Sequence, residues 1–185
     1  MARPLTVFSL LRGPLSVPPG GELLQEILLR FGRTRSPSTI RRLSFIHFAR
    51  LTIIHRLPRL GQPKEDDVGH PLMLFQSVYD GSFGQYIDAF AEAIPTKMRA
   101  FWSTSYGFPG VDPVTPFKRF IRKNEFRSGH TYLANPDATT AMVNSALELR
   151  DAHKVFYRNA SDSPEDGEQF RRLYMAFLFE AQKHL

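Results

Sequence analysis

The sequence predicts an α+β fold, a small antiparallel sheet covered by helices, and three observations predict it. Two apolar stretches of strand length, 43–57 and 71–79, stand close enough to pair as antiparallel neighbours. From Ser82 onward the apolar spacing turns helical, through Phe83, Tyr86, Ile87 and Phe90. Helical patterns also close the chain, over 137–160 and again from Gln169. Strands grouped first and helices grouped after them suit a layered α+β domain better than an alternating α/β one.

In chain order, residues 1–21 read as an extended arm, with Pro14, Pro18 and Pro19 and the Gly20-Gly21 pair as breakers. Leu23, Leu24, Ile27, Leu28 and Phe31 then recur at helical spacing, and Gly32 stands where a helix would stop. Arg30, Arg33 and Arg35 gather at its C-terminal end, where a helix dipole favours cations. Such an amphipathic segment is suited to docking on a protein surface, and these eight residues form the candidate partner-binding set. The stretch 43–57 places Leu43, Phe45, Leu51 and Ile53 on one side and Ile46, Phe48 and Ile54 on the other, a strand covered on both faces.

The second strand ends at Asp80-Gly81, and Ser82 with Gln85 matches a helix capping box. Pro95 interrupts the following helix, which resumes toward Gly107. The proline-rich 108–116 reads as a loop, 116–124 as a short basic helix, and 128–136 as a third strand stopped by Asn135-Pro136. The longest helix covers 137–160, with Asp137 or Thr139 as its cap. A last amphipathic helix carries Phe170, Leu173, Phe177 and Leu178. The order fits a split β-α-β ferredoxin-like unit if a further short strand lies near 104–111 or 125–128. The domain reading is a basic arm over 1–40, a ferredoxin-like body over 41–160, and a C-terminal helix over 161–185.

Composition bounds the chemistry. The 185 residues suffice for one domain with extensions, and 42% hydrophobic content with sixteen Phe supports a packed core. With no Cys there is no disulfide framework, thiolate metal site or cysteine nucleophile. Ten Arg and two acids lie before residue 60, so the first third carries +8 of a net +6 and the remainder is slightly acidic. A basic arm on a near-neutral body points to an anionic partner surface. No apolar run reaches the ~18 residues of a membrane span, and the N-terminus lacks a continuous signal-peptide core. These features predict a cytoplasmic protein, with attachment to the cytoplasmic face of a membrane through residues 5–31 as a further option.

Neither a Walker-type loop nor G-x-S-x-G is present, and no two histidines stand at metal-ligand spacing. His47 and His55 share a strand face but lie too far apart to share an ion. The acid/base set this chain can offer is Asp80, His47 and His130, provided the fold brings them together. An apolar wall of Phe75, Tyr86, Phe90, Trp102 and Tyr132 would make a small-molecule cavity beside them. The basic-aromatic run 117–127 reads as a helix with its Phe residues buried and its charges wet, which disfavours nucleic acid as the partner.

The stretches "FIHFARLTII", "LMLFQSVYDGSFGQYIDAF", "FWSTSYGFPG" and "TYLANPDATTAMV" resemble an uncharacterised bacterial family with ferredoxin-like, dimeric α+β barrel domains. The resemblance covers roughly 43–155 and implies a dimer, without catalytic residues to transfer. Dye-decolourising haem peroxidases are distantly similar through their Gly-x-x-Asp-Gly motif, from which Ser77-Val78-Tyr79-Asp80-Gly81 departs at the first glycine. The leading expectation is therefore a non-enzymatic accessory or scaffold subunit that docks into a larger assembly through its terminal arms. The alternative is an enzyme or a binding protein for haem or a lipophilic ligand, with its cavity between sheet and helices.

Overall fold

The computed structural model describes residues 2–12, 44–57, 61, 67–127, 129–162 and 167–184. The amphipathic segment bearing Leu23, Leu24, Ile27, Leu28, Arg30, Phe31, Arg33 and Arg35 lies outside the described residues. Two compact units divide the chain, Met1–Asp137 and Ala138–Leu185. The second therefore groups the helix read over 137–160 with the C-terminal helix.

The first unit is built on a three-stranded antiparallel sheet of order β1-β3-β2, with β1 at Ala2–Leu10, β2 at Ile46–Arg56 and β3 at Asp67–Asp80. The arm expected over 1–21 thus contains an edge strand. Its alternation explains why: Leu5, Val7, Ser9 and Leu11 turn inward and are almost wholly buried. Pro4 is tolerated opposite Val78 because the even positions of β1 turn their backbone groups to the outer edge, where a missing N–H costs nothing. The prolines that argued for an arm all lie beyond this strand.

Leu5, Val7 and Ser9 pair with Ser77, Phe75 and Met73, which pair in turn with Ala49, Leu51 and Ile53. These three rows form the inner face of the sheet. Helices α1 (Phe83–Ala93), α2 (Pro95–Trp102) and α3 (Val114–Lys123) supply the other half of the core through Phe83, Tyr86, Ile87, Phe90, Met98, Trp102, Phe117 and Ile121. Trp102 meets Phe75, Phe117 and Phe120 edge-on, with centroids 5.7–6.4 Å apart. The outer face is also apolar. Phe8, Ile54, Leu72 and Leu74 are half-buried there, and Leu10 and Phe48 are exposed.

No third strand forms over the described part of 128–136, which is irregular and mostly exposed, with Tyr132 at 81 %. The third place in the sheet belongs to β1 instead. The short strand expected near 104–111 or 125–128 is reduced to two single bridges, Leu11↔Ser105 and Val7↔Glu125. Both lie on the outer edge of β1. There the Phe8 and Arg12 N–H groups donate to Asn124 and Thr104, while Tyr106 and Phe126 donate back to Leu10 and Thr6. One sheet edge is thereby covered.

In the second unit, α4 (Thr140–Ser161) and α5 (Gly167–Ala181) form a hairpin closed by a 3₁₀ turn, Gln182–His184. Thr139 caps α4 by accepting from the Met142 N–H. Phe156 is the hub of the helix contact, stacked on Phe177 at 5.1 Å and tilted against Phe170 and Tyr174. Ser145 donates to the His184 carbonyl at 3.2 Å and ties the end of the chain to α4.

Candidate functional site

The Asp80-Gly81 junction has both of its sequence-derived features. Gly81 takes φ +87, a conformation that suits glycine, and turns the chain out of β3. The Ser82 Oγ then accepts from the Gln85 N–H, and the Gln85 Oε1 accepts from the Ser82 N–H, closing the capping box. Asp80 stays beside the helix start, its N–H donating to the Phe45 carbonyl.

His47 reaches this carboxylate: its Nε2 stands 3.0 Å from the Asp80 Oδ1. A register shift between Ile46 and Phe48 makes His47 the extra residue of a bulge in β2. That shift also turns Ile46 to the side of Leu51, whereas strict alternation puts them on opposite faces. His130, the third member of the expected acid/base set, is exposed in the irregular stretch after α3. The described geometry therefore holds a half-covered imidazole–carboxylate pair rather than a converging triad. Among the described residues no three His, Asp or Glu side chains gather as metal ligands do.

Behind the junction lies a buried phenol pair. Tyr86 donates to the Ser77 Oγ at 2.6 Å and stacks on Tyr79 with centroids 4.1 Å apart. Burial pushes both phenols above their ordinary value, most strongly Tyr86, and Arg122 and Arg3 partly offset the shift at Tyr79. Neutral hydroxyls in this setting serve packing and hydrogen bonding.

The expected cavity between sheet and helices exists. Its volume is about 180 Å³, lined mainly by apolar side chains of β2, β3, α1 and α2, among them Ala49, Leu51, Phe75, Phe90, Met98 and Trp102, with Arg50 also at its wall. Phe75, Phe90 and Trp102 stand in the wall as the sequence suggested. Tyr86 packs against Tyr79, Phe45 and Phe90 instead, and Tyr132 is exposed. The sequence reading missed Ile94, Met98 and Phe101, although their spacing of four and three marks one helix face across the Pro95 break. Neither His47 nor Asp80 lines the cavity. Small-molecule pockets commonly measure ~300–1,000 Å³, while an apolar cavity of ~150 Å³ holds one benzene-sized group. This cavity has room for one side chain.

The basic-aromatic run is resolved as α3 and its exit. Phe117, Phe120 and Ile121 are buried, Lys118 pairs with Asp88, and Arg122 pairs with Glu125 while lying 3.7 Å over the Phe83 ring. Two of its five basic side chains, Lys118 and Arg122, are thus engaged within the fold, and Arg119, Lys123 and Arg127 are exposed. On the hairpin the distribution is reversed. Phe179 and Met175 on α5 and Tyr157 and Val155 on α4 are all more than half exposed, and Ala181 is the one buried residue of the two helices. No described helix is long and apolar enough to cross a membrane. Comparison with protein-family models, with curated proteins and with solved structures finds no match for this chain.

Proposed function

We propose that this chain is a non-enzymatic accessory or scaffold subunit that docks into a larger protein assembly, with the α4–α5 hairpin as a principal contact element. The observation that carries this reading is the hairpin surface. Phe179 is 69 % exposed and Met175 59 %, on helices whose inward side chains are only half-covered. Several large apolar side chains exposed on one small unit are the composition of an interaction surface. The same reading is supported by the His47–Asp80 imidazole–carboxylate pair, which stands apart from the apolar cavity.

The sheet adds a second argument. β1 and β2 run parallel on either side of β3, the arrangement of a split β-α-β unit, and the bridges at Ser105 and Glu125 occupy the place of its fourth strand. On this ferredoxin-like reading the helices keep to the inner face. The apolar outer face, with Phe8, Phe48, Leu72 and Leu74, is then available for a homodimer contact. The competing reading, a haem or lipophilic-ligand protein or an enzyme, needs polar groups converging on a larger cavity.

Sedimentation of the purified full chain tests the proposal, alongside the double variant Met175→Ser, Phe179→Ser. Wild-type chain that sediments above its monomer mass, or co-purifies with a stoichiometric subunit, and a variant that keeps its helical circular dichroism but loses that association, support it. A monomeric wild type that retains no subunit overturns it.

A further inference from the structure

The two edges of the sheet differ, and the difference points to a second interaction surface. In an antiparallel sheet a residue that exchanges bonds with one neighbour turns its back on the other. The Leu11 N–H donates to Pro71 and the Asp80 N–H to Phe45, so the odd residues of β3 bond β1 and its even residues bond the β2 side. Phe48, Arg50, Thr52 and Ile54 oppose even residues of β3. Ala49, Leu51 and Ile53 therefore direct their N–H and C=O groups outward. Among the described residues nothing pairs with this edge, whereas segments at 104–106 and 124–126 cover the edge of β1.

The same three residues carry side chains on the inner face, and Ala49 and Leu51 line the apolar cavity. The cavity's far wall is helical: Phe90 and Ile94 close α1, and Met98 and Phe101 belong to α2. An open edge strand, a helical wall and a side-chain-sized hole between them make up a groove suited to strand-addition recognition. Charge narrows the occupant. β2 carries Arg50 and no Asp or Glu, and Arg50 is exposed, its register opposite Gln76 alternating with that of Ala49 and Leu51.

We propose that the outer edge of β2 accepts an extended peptide of alternating apolar and acidic residues from a partner protein. One apolar side chain seats in the cavity, and the acidic residue beside it faces Arg50. The period of two in a strand sends these side chains to opposite faces, so cavity and guanidinium are read by neighbouring residues. Main-chain bonds to Ala49, Leu51 and Ile53 supply the sequence-independent part of the contact. This inference stands on β2, α1 and α2 alone. Variants of the hairpin leave it untouched, and it fails or holds independently of the hairpin proposal.

Labelled peptides added to the full-length chain test it. The probe is fluorescein-Ser-Leu-Glu-Leu-Glu-Leu-Ser, read by anisotropy and by the emission of Trp102, the chain's single tryptophan, which lines the cavity. Binding of this peptide is expected, with a loss of roughly tenfold when alternate backbone amides are N-methylated. Replacing Glu by Lys in the peptide weakens binding severalfold, and Arg50→Glu, at an exposed site, reverses that preference. Equal binding of the Glu and Lys peptides, an unaffected N-methylated peptide, or no binding at all overturns the proposal. A dimer that the peptide does not dissociate, or a Trp102 response to free toluene without one to peptide, overturns it in favour of a second copy or a small apolar ligand.

Discussion

The sheet unit and the helical hairpin use the same residue types to opposite ends. In the first, Phe117, Trp102 and Tyr86 vanish into a core closed by three strands and three helices. In the second, Phe170, Tyr174 and Phe179 stay largely exposed, and the helices touch through a single aromatic seam around Phe156. Two helices alone enclose no interior, since each buries one stripe and leaves the rest of its circumference wet. The difference teaches that the sheet unit encloses a core of its own, whereas the hairpin leaves most of its apolar side chains at the surface.

The comparison breaks most visibly at Phe117, which is fully buried and touches Trp102, Phe108 and Phe120. Phe117→Ala is expected to cost about 3–5 kcal/mol of unfolding free energy, as large-to-small core changes do. Phe179→Ala, on the hairpin surface, is expected to stay within about 0.5 kcal/mol. Urea unfolding followed through Trp102 emission for the sheet unit and through helical circular dichroism for the hairpin measures both. Equal losses at the two sites would show that the hairpin surface is covered within the chain itself.

A step smaller is Phe156→Ala, which removes the hub of the seam. Its half-buried ring predicts a loss of about 2 kcal/mol, smaller than a full core deletion. Hydrogen exchange locates it: amides of α4 and α5 should lose protection while those of β3 keep theirs. Deprotection of β3 to the same degree would unite what the contact pattern divides.

These two sites also show how much could be read in advance. β2 and β3 follow from apolar stretches of strand length, and α1 and the long α4 from apolar residues at helical spacing. The strand at Ala2–Leu10 escaped because its period was outweighed by prolines that lie after it. The false strand at 128–136 arose from Tyr132 and Leu133, apolar residues with no neighbouring strand to receive them. At the candidate site, Asp80 and the capping box were legible because they are local in sequence. Contact between Asp80 and His47 depends on a β-bulge, and the edge groove depends on which way backbone groups turn, so neither has a signature in residue order.

Alkaline titration sharpens the contrast further. The raised phenol of Tyr86 keeps its proton in the folded state, while the unfolded chain releases it near the ordinary value of 10.0. Stability is thus unaffected below about pH 10, where both states hold the proton. Above it the unfolded state binds fewer protons, and stability falls with a limiting slope of about 1.4 kcal/mol per pH unit for one such group. Unfolding of wild type and Tyr86→Phe between pH 8 and 11 should give curves that diverge only above 10, with the variant the flatter. Tyr157 and Tyr174 of the hairpin, by contrast, are exposed.

The smallest effects compare the two helix caps. Ser82 and Gln85 satisfy one another's backbone N–H groups at the entry to α1, whose inner residues Phe83, Tyr86, Ile87 and Phe90 are all core. The Thr139 hydroxyl makes a single bond to the Met142 N–H, and the Met142 side chain has no oxygen with which to return it. Replacing a capping hydroxyl by Ala costs about 1 kcal/mol. Ser82→Ala should register in full as global stability, because α1 cannot fray without opening the core beneath it. Thr139→Ala should cost the same locally yet barely move the urea midpoint of the sheet unit, since the first turn of α4 buries nothing. Amide exchange at Met142 and Val143 would report the loss there. A midpoint shift at Thr139 as large as that at Ser82 would mean that the hairpin's first turn is held by the same cooperative core, and the distinction between the two units would fall.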